Sequence, residues 1–154
     1  MRLNFSLLNS TKLYPVIPIP GVKLGIANIV TVYAVIEVGK PDAVQILLAR
    51  ILLSFVFAGQ AVSLMFSLGG GVMCLIVMIM ISYVVDKERI WVMSVAGALS
   101  HNIGQILVAW LIVGSKGVFF YLPILIITGI LTGALTGVTA QMFIKRIGGK
   151  TRQK

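Results

Sequence analysis

Acidic side chains are nearly missing from this sequence: it has 4 Asp and Glu against 13 Lys and Arg. The four acids, Glu37, Asp42, Asp86 and Glu88, lie at or near the edges of apolar runs and form no cluster fit for a divalent cation. Cysteine and histidine each occur once, as Cys74 and His101. A single cysteine excludes an intrachain disulfide and a thiolate metal cluster. One histidine without carboxylate or cysteine partners makes a poor metal ligand set, so no metal site is expected. Cys74 lies in an apolar run and reads as a small buried or lipid-facing residue. No GxxxxGK[ST] loop is present, and Gly69, Gly70 and Gly71 read as a turn rather than a phosphate loop. With no catalytic set in view, the chain is not expected to be an enzyme, and no cofactor is expected.

Charge of either sign is scarce. Only 11% of the residues are charged and 58% are hydrophobic, whereas soluble domains carry about 25% charged residues. A sphere of this size cannot hide so much apolar surface from water, so the solvent over most of the chain is lipid. The net charge of +9 raises the question of nucleic acid, but its placement argues against that partner. The basic residues flank apolar runs, and five of the 13 fall between Lys145 and Lys154. That distribution suits membrane edges and anionic headgroups. Residues 1–20 lack a basic start, a continuous apolar core and a small-residue cleavage site, so no cleavable signal peptide is expected.

About 20 apolar residues cross the hydrocarbon as a helix. The sequence predicts five antiparallel spans in one transmembrane domain, residues 1–144: 24–39, 43–67, 70–85, 91–114 and 118–144. The connectors GKPD, SLGG, DKER and SKG are short and rich in helix breakers. Residues 145–154 form a basic tail. Placing that tail in the cytoplasm puts eight basic residues on the cytoplasmic side: Lys40, Lys87, Arg89, Lys145, Arg146, Lys150, Arg152 and Lys154. Arg2, Lys12, Lys23 and Lys116 fall opposite, as the positive-inside bias favours. The count leaves the N-terminus outside, and residues 1–20 read as the remnant of one more helix.

Polar residues inside such spans are costly, and they mark function or packing. The fourth span carries His101, Asn102 and Gln105, with Gly97 and Ala98 a turn earlier. His101 and Gln105 share a helix face. The patch reads either as a ligand-contacting surface or as interhelical hydrogen bonding. Lys23 and Asn28 open the first span, as a cap over an outward cavity or as an interface lysine and a packing amide. Arg50, inside the second span, snorkels or pairs with Glu37 as a structural ion pair. Gly129, Gly133 and Gly137 recur every four residues and let another helix approach closely.

Two stretches, IPGVKLGIANIVTVYA followed by ARILL, and GALSHNIGQILVAW followed by YLPILIITGILTGALTG, resemble the Gx transporter family. That family is also labelled heptaprenyl diphosphate synthase component I and is similar to the substrate-binding S components of energy-coupling factor transporters. The resemblance covers roughly residues 18–140. It implies a six-helix protein of the bacterial plasma membrane that binds a small vitamin-like solute or cofactor precursor. Its partners would be a transmembrane coupling subunit and two ATPases. Pro18 to Gly25 would form the loop over the ligand, and the His101 patch would lie on family helix five. The family's first helix, which carries the small-residue surface toward the coupling subunit, would precede Pro18, where only a short remnant stands. The synthase label implies a second role, that of a non-catalytic membrane partner in isoprenoid or quinone synthesis. Prenyl synthases chelate magnesium diphosphate with aspartate-rich motifs, whereas Asp42 and Asp86 are 44 residues apart.

Overall fold

A computed structural model describes residues 29–58, 60–86 and 89–151. Five helices follow one another: α1 (Ile29–Val38), α2 (Lys40–Ala58), α3 (Ala61–Ser82), α4 (Ile90–Val113) and α5 (Leu122–Thr151). A 3-10 turn, Lys116–Tyr121, leads into α5. No strand occurs among the described residues. Helices α3, α4 and the segment Lys116–Arg146 are each long and apolar enough to cross a bilayer. The chain is a multi-pass membrane protein.

Local chemistry explains the turns. The last five residues of α1 widen into a π-helical turn, closed by the Gly39 amide donating to the Ala34 carbonyl at 2.9 Å. Gly39 sits at φ +133°, a conformation that a side chain would strain. Pro41 then occupies the first turn of α2, where its missing N–H costs nothing, and Asp42 faces the positive end of the helix dipole. Helix α4 stops at Gly114, in the left-handed region at φ +69°, with its amide bonded to the Trp110 carbonyl at 2.8 Å. Ser115 Oγ accepts from the Gly117 amide at 3.2 Å and starts the turn into α5.

One connector differs from the sequence-based expectation. SLGG does not end a helix: Ser67 to Gly71 lie inside α3, and the break falls at Gln60, whose backbone is extended. The second and third spans are therefore 40–58 and 61–82 rather than 43–67 and 70–85. Their lengths of 19 and 22 residues match the hydrocarbon thickness better than 25 and 16 would. The glycines serve packing instead. A Cβ on Gly69 would meet the Gly104 carbonyl oxygen at 3.3 Å, one on Gly70 the His101 ring at 2.8 Å, and one on Gly71 Leu47 Cδ1 at 2.8 Å. Successive helical residues point about 100° apart, so three adjacent glycines open α3 toward α4 on two sides and toward α2 on the third.

Helix α4 lies between α3 and α5, α2 packs on α3, and α1 lies against α2 and α3. The glycine stripe on α5 faces α4 of the same chain. Cβ atoms there would meet Asn102 Nδ2 at 2.8 Å from Gly129, Val95 Cα at 2.7 Å from Gly133 and Trp91 Cα at 2.5 Å from Gly137. Thr128, Thr132, Thr136 and Thr139 each return their hydroxyl to a carbonyl one turn back, which satisfies these donors within α5. Aromatic residues mark both ends of the bundle. Lys40 Nζ stands 3.2 Å from the Tyr83 ring centroid near exposed Trp91. At the other end the Trp110 and Phe119 rings are 6.2 Å apart, as interfacial belts require.

Gly104 is the tightest test of this packing, because its Cβ would fall 2.5 Å from the Gly69 carbonyl oxygen. Gly104→Val is expected to cost about 3 kcal/mol or more, the upper end for overpacking, since backbone cannot rotate away. Gly117→Ala, whose Cβ meets only Ser115 Oγ at 3.4 Å, should be close to neutral. Thermal unfolding of both variants in detergent measures the difference.

Candidate functional site

The polar residues of α4 do not all do the same thing. Asn102 is 7% exposed, and its Nδ2 donates to the Leu125 carbonyl of α5 at 2.6 Å. Ser94 Oγ and Thr136 Oγ1 are 2.9 Å apart across the same interface. Ser100 Oγ donates to the Gly97 carbonyl at 2.9 Å within its own helix. Asn102, Ser94 and Thr136 are consumed in holding α4 and α5 together, and Ser100 within α4 itself. Asn102, grouped by sequence with the ligand candidates, is a clasp to α5 in this arrangement.

His101 and Gln105 face the other way, toward α3. Both lie against Gly70, whose missing side chain makes room for the imidazole and for Gln105 Cγ. His101 is 3% exposed. Its Nδ1 is buried with no hydrogen-bond partner among the described residues. An imidazole nitrogen left so in an apolar interior costs about 1–3 kcal/mol.

Gln105 is half-buried and forms part of the wall of an open pocket of about 430 Å³. The cavity lies at the end of the bundle opposite the C-terminus. Phe66 of α3 and Ile106 and Ala109 of α4 line it, with Val118 and Tyr121 of the 3-10 turn and Ile124 and Leu125 of α5. Its volume suits a small organic molecule. The walls are apolar apart from the Gln105 amide and the Tyr121 hydroxyl, so they select a largely apolar body and orient it through one or two hydrogen bonds. Nothing in the sequence alone joined Phe66 or the 118–125 stretch to Gln105; the helix ends had to converge first.

Two further expectations meet the structure differently. Lys23 and Asn28, with the whole Pro18–Gly25 segment, lie outside the described residues. Arg50 is bonded not to Glu37 but to Thr31, with its Nη1 3.5 Å from Thr31 Oγ1. The reason is hairpin geometry. Arg50 stands ten residues beyond the start of α2, about 15 Å along the helix, whereas Glu37 is exposed two residues before the turn at Gly39. The antiparallel residue at Arg50's depth is Thr31.

Residues 5–143 match the family model described as heptaprenyl diphosphate synthase component I. The chain belongs to that family. No curated protein and no solved structure matches it. The family's description names a component of a synthase, and membership extends across all five helices, the Gln105 cavity included.

If Asn102 is a clasp, Asn102→Ala should lower stability by about 1 kcal/mol, the usual worth of an interhelical hydrogen bond in a membrane. The Leu125 carbonyl keeps its own helical bond, so no acceptor is orphaned. Equilibrium unfolding in mixed micelles reads the loss.

Proposed function

We propose that the protein is the solute-binding membrane subunit of an energy-coupling-factor-like transporter for a small vitamin-like or cofactor-precursor molecule. The carrying observation is the cavity of about 430 Å³ beside Gln105, at the end of the bundle away from the basic C-terminal tail. A tail in the cytoplasm of a bacterial cell puts that cavity on the outer side, where a solute arrives. The PGVKLG and GALSHNIGQ motifs and their likeness to S components support the same reading. Binding would rest on Gln105 and the apolar wall, and the resemblance adds Lys23 and Asn28 as candidate contacts. A transmembrane coupling subunit and two ATPases would complete the machine. The chain's own part is to bind and present the solute; nothing in this reading asks it to catalyse.

The family's description carries a second reading, a non-catalytic membrane partner in isoprenoid or quinone synthesis. Gene deletion followed by measurement of prenyl chain length and quinone content separates the two. Altered products with no transported solute would favour the synthase partner.

The direct test is mass spectrometry of small molecules that co-purify with the protein in mild detergent. A vitamin-like or cofactor-precursor solute should be retained, and Gln105→Ala should reduce its occupancy about tenfold, the worth of one or two buried hydrogen bonds. Retention that is unchanged in Gln105→Ala would place the solute elsewhere.

A further inference from the structure

A second recess lies at the other end of the bundle, where α1 and α3 end and α2 and α4 begin. Its volume is about 180 Å³, and all four of these helices line it. The π-helical turn of α1 supplies Val35, and such widened turns occur frequently at functional sites. Val35, Ile90 and Met93 make an apolar floor and belong to the buried core. Three polar residues share the wall: Lys40 at the start of α2, Ser82 at the end of α3 and Asp86 in the connector to α4.

Lys40 and Asp86 carry opposite charges on one recess and do not neutralise each other. They form no ion pair among the described residues, so their charged atoms stand more than about 4 Å apart. Lys40 Nζ is held instead over the Tyr83 ring, 3.2 Å from its centroid, which fixes the ammonium without cancelling its charge. Ser82 Oγ donates to the Ile79 carbonyl at 2.7 Å and keeps its lone pairs to accept with. A recess with separated charges of both signs is the complement of a dipolar group, an anion joined to a cation by a short spacer. Tyr83 and Trp91, next in sequence to the lining residues Ser82 and Ile90, are exposed, and aromatic rings of this kind sit at the level of lipid headgroups.

We infer that this recess binds the headgroup of a phospholipid that carries a phosphate and a primary ammonium, as phosphatidylethanolamine does. The phosphate meets Lys40, and the ammonium donates to Asp86 and to Ser82 Oγ. Charge complementarity selects among headgroups. The purely anionic headgroup of phosphatidylglycerol satisfies Lys40 but is repelled by Asp86. Phosphatidylcholine carries both charges, but its trimethylammonium has no N–H to donate. A lipid seated there ties α1 and α2 to α3 and α4 at the membrane edge. The inference is independent of the solute pocket beside Gln105, with which this recess shares no residue.

The full chain is placed in nanodiscs of equal parts phosphatidylethanolamine, phosphatidylglycerol and phosphatidylcholine with the same acyl chains. Native mass spectrometry then counts the lipids retained on the released protein. Phosphatidylethanolamine should be retained about tenfold over each of the others, the worth of one hydrogen bond between charged groups. Asp86→Asn, an isosteric change at an exposed side chain, should abolish that preference, and Lys40→Gln should reduce retention of all three lipids. Melting temperatures in phosphatidylcholine nanodiscs confirm that both variants fold. Phosphatidylglycerol retained as well as phosphatidylethanolamine by the wild type, or a preference that survives Asp86→Asn, overturns the proposal. In a second arm the nanodiscs hold phosphatidylcholine alone and free phosphoethanolamine is titrated. Saturable binding of the free headgroup by a protein that retains no phosphatidylethanolamine assigns the recess to a soluble ligand and overturns the lipid assignment.

Discussion

Close approach of α4 to both of its neighbours is the constraint from which the rest of the bundle follows. Lipid offers no hydrophobic reward for bringing two apolar helices together, so dispersion contacts and hydrogen bonds must do it at short range. Glycines make that range possible: Gly69 and Gly104 let two backbones meet, and Gly129, Gly133 and Gly137 bring α5 onto α4. Met78 fills the space over Gly97, and it is among the most completely buried side chains. At these distances the Asn102 amide reaches the Leu125 carbonyl and the Ser94 and Thr136 hydroxyls reach one another. A wider spacing would leave the Asn102 amide without this partner in hydrocarbon.

The same spacing sorts the polar residues of α4 into two sets. Those toward α5 are paired, so they contribute stability. Those toward α3 are not: Gln105 borders an open pocket, and His101 Nδ1 has no hydrogen-bond partner among the described residues. Unpaired polarity at mid-membrane is unstable unless something else meets it, and here it collects on one side of one helix.

Much of this was legible in the residues. The scarcity of charge required lipid, the apolar runs placed α4 within one residue at each end, and the four-residue glycine period on α5 announced a packed face. The misplaced element is instructive. Three consecutive glycines, Gly69, Gly70 and Gly71, carry the strongest turn signal in the second half of that long apolar stretch, while the actual break at Gln60 carries a weak one. In water exposed glycines loosen helices; in a bundle they are retained because a backbone lies against them. Sequence pattern does not distinguish these uses, since it does not say what stands opposite.

The Glu37–Arg50 pairing failed for a related reason, because complementary charges invite a bond that the hairpin's register denies. The sequence by itself determined that the chain is helical, membrane-embedded and basic at its C-terminal end, since those properties depend only on composition and on the length needed to cross hydrocarbon. Tertiary structure alone decided that Asn102 bonds to the Leu125 carbonyl, that Gln105 meets Phe66 and the 118–125 stretch around one open pocket, and that Arg50 lies beside Thr31. Each is a statement about which residues of different helices stand at the same depth and face one another. That depends on register and rotation between helices, and these are set by the glycine contacts rather than by any run of neighbouring residues.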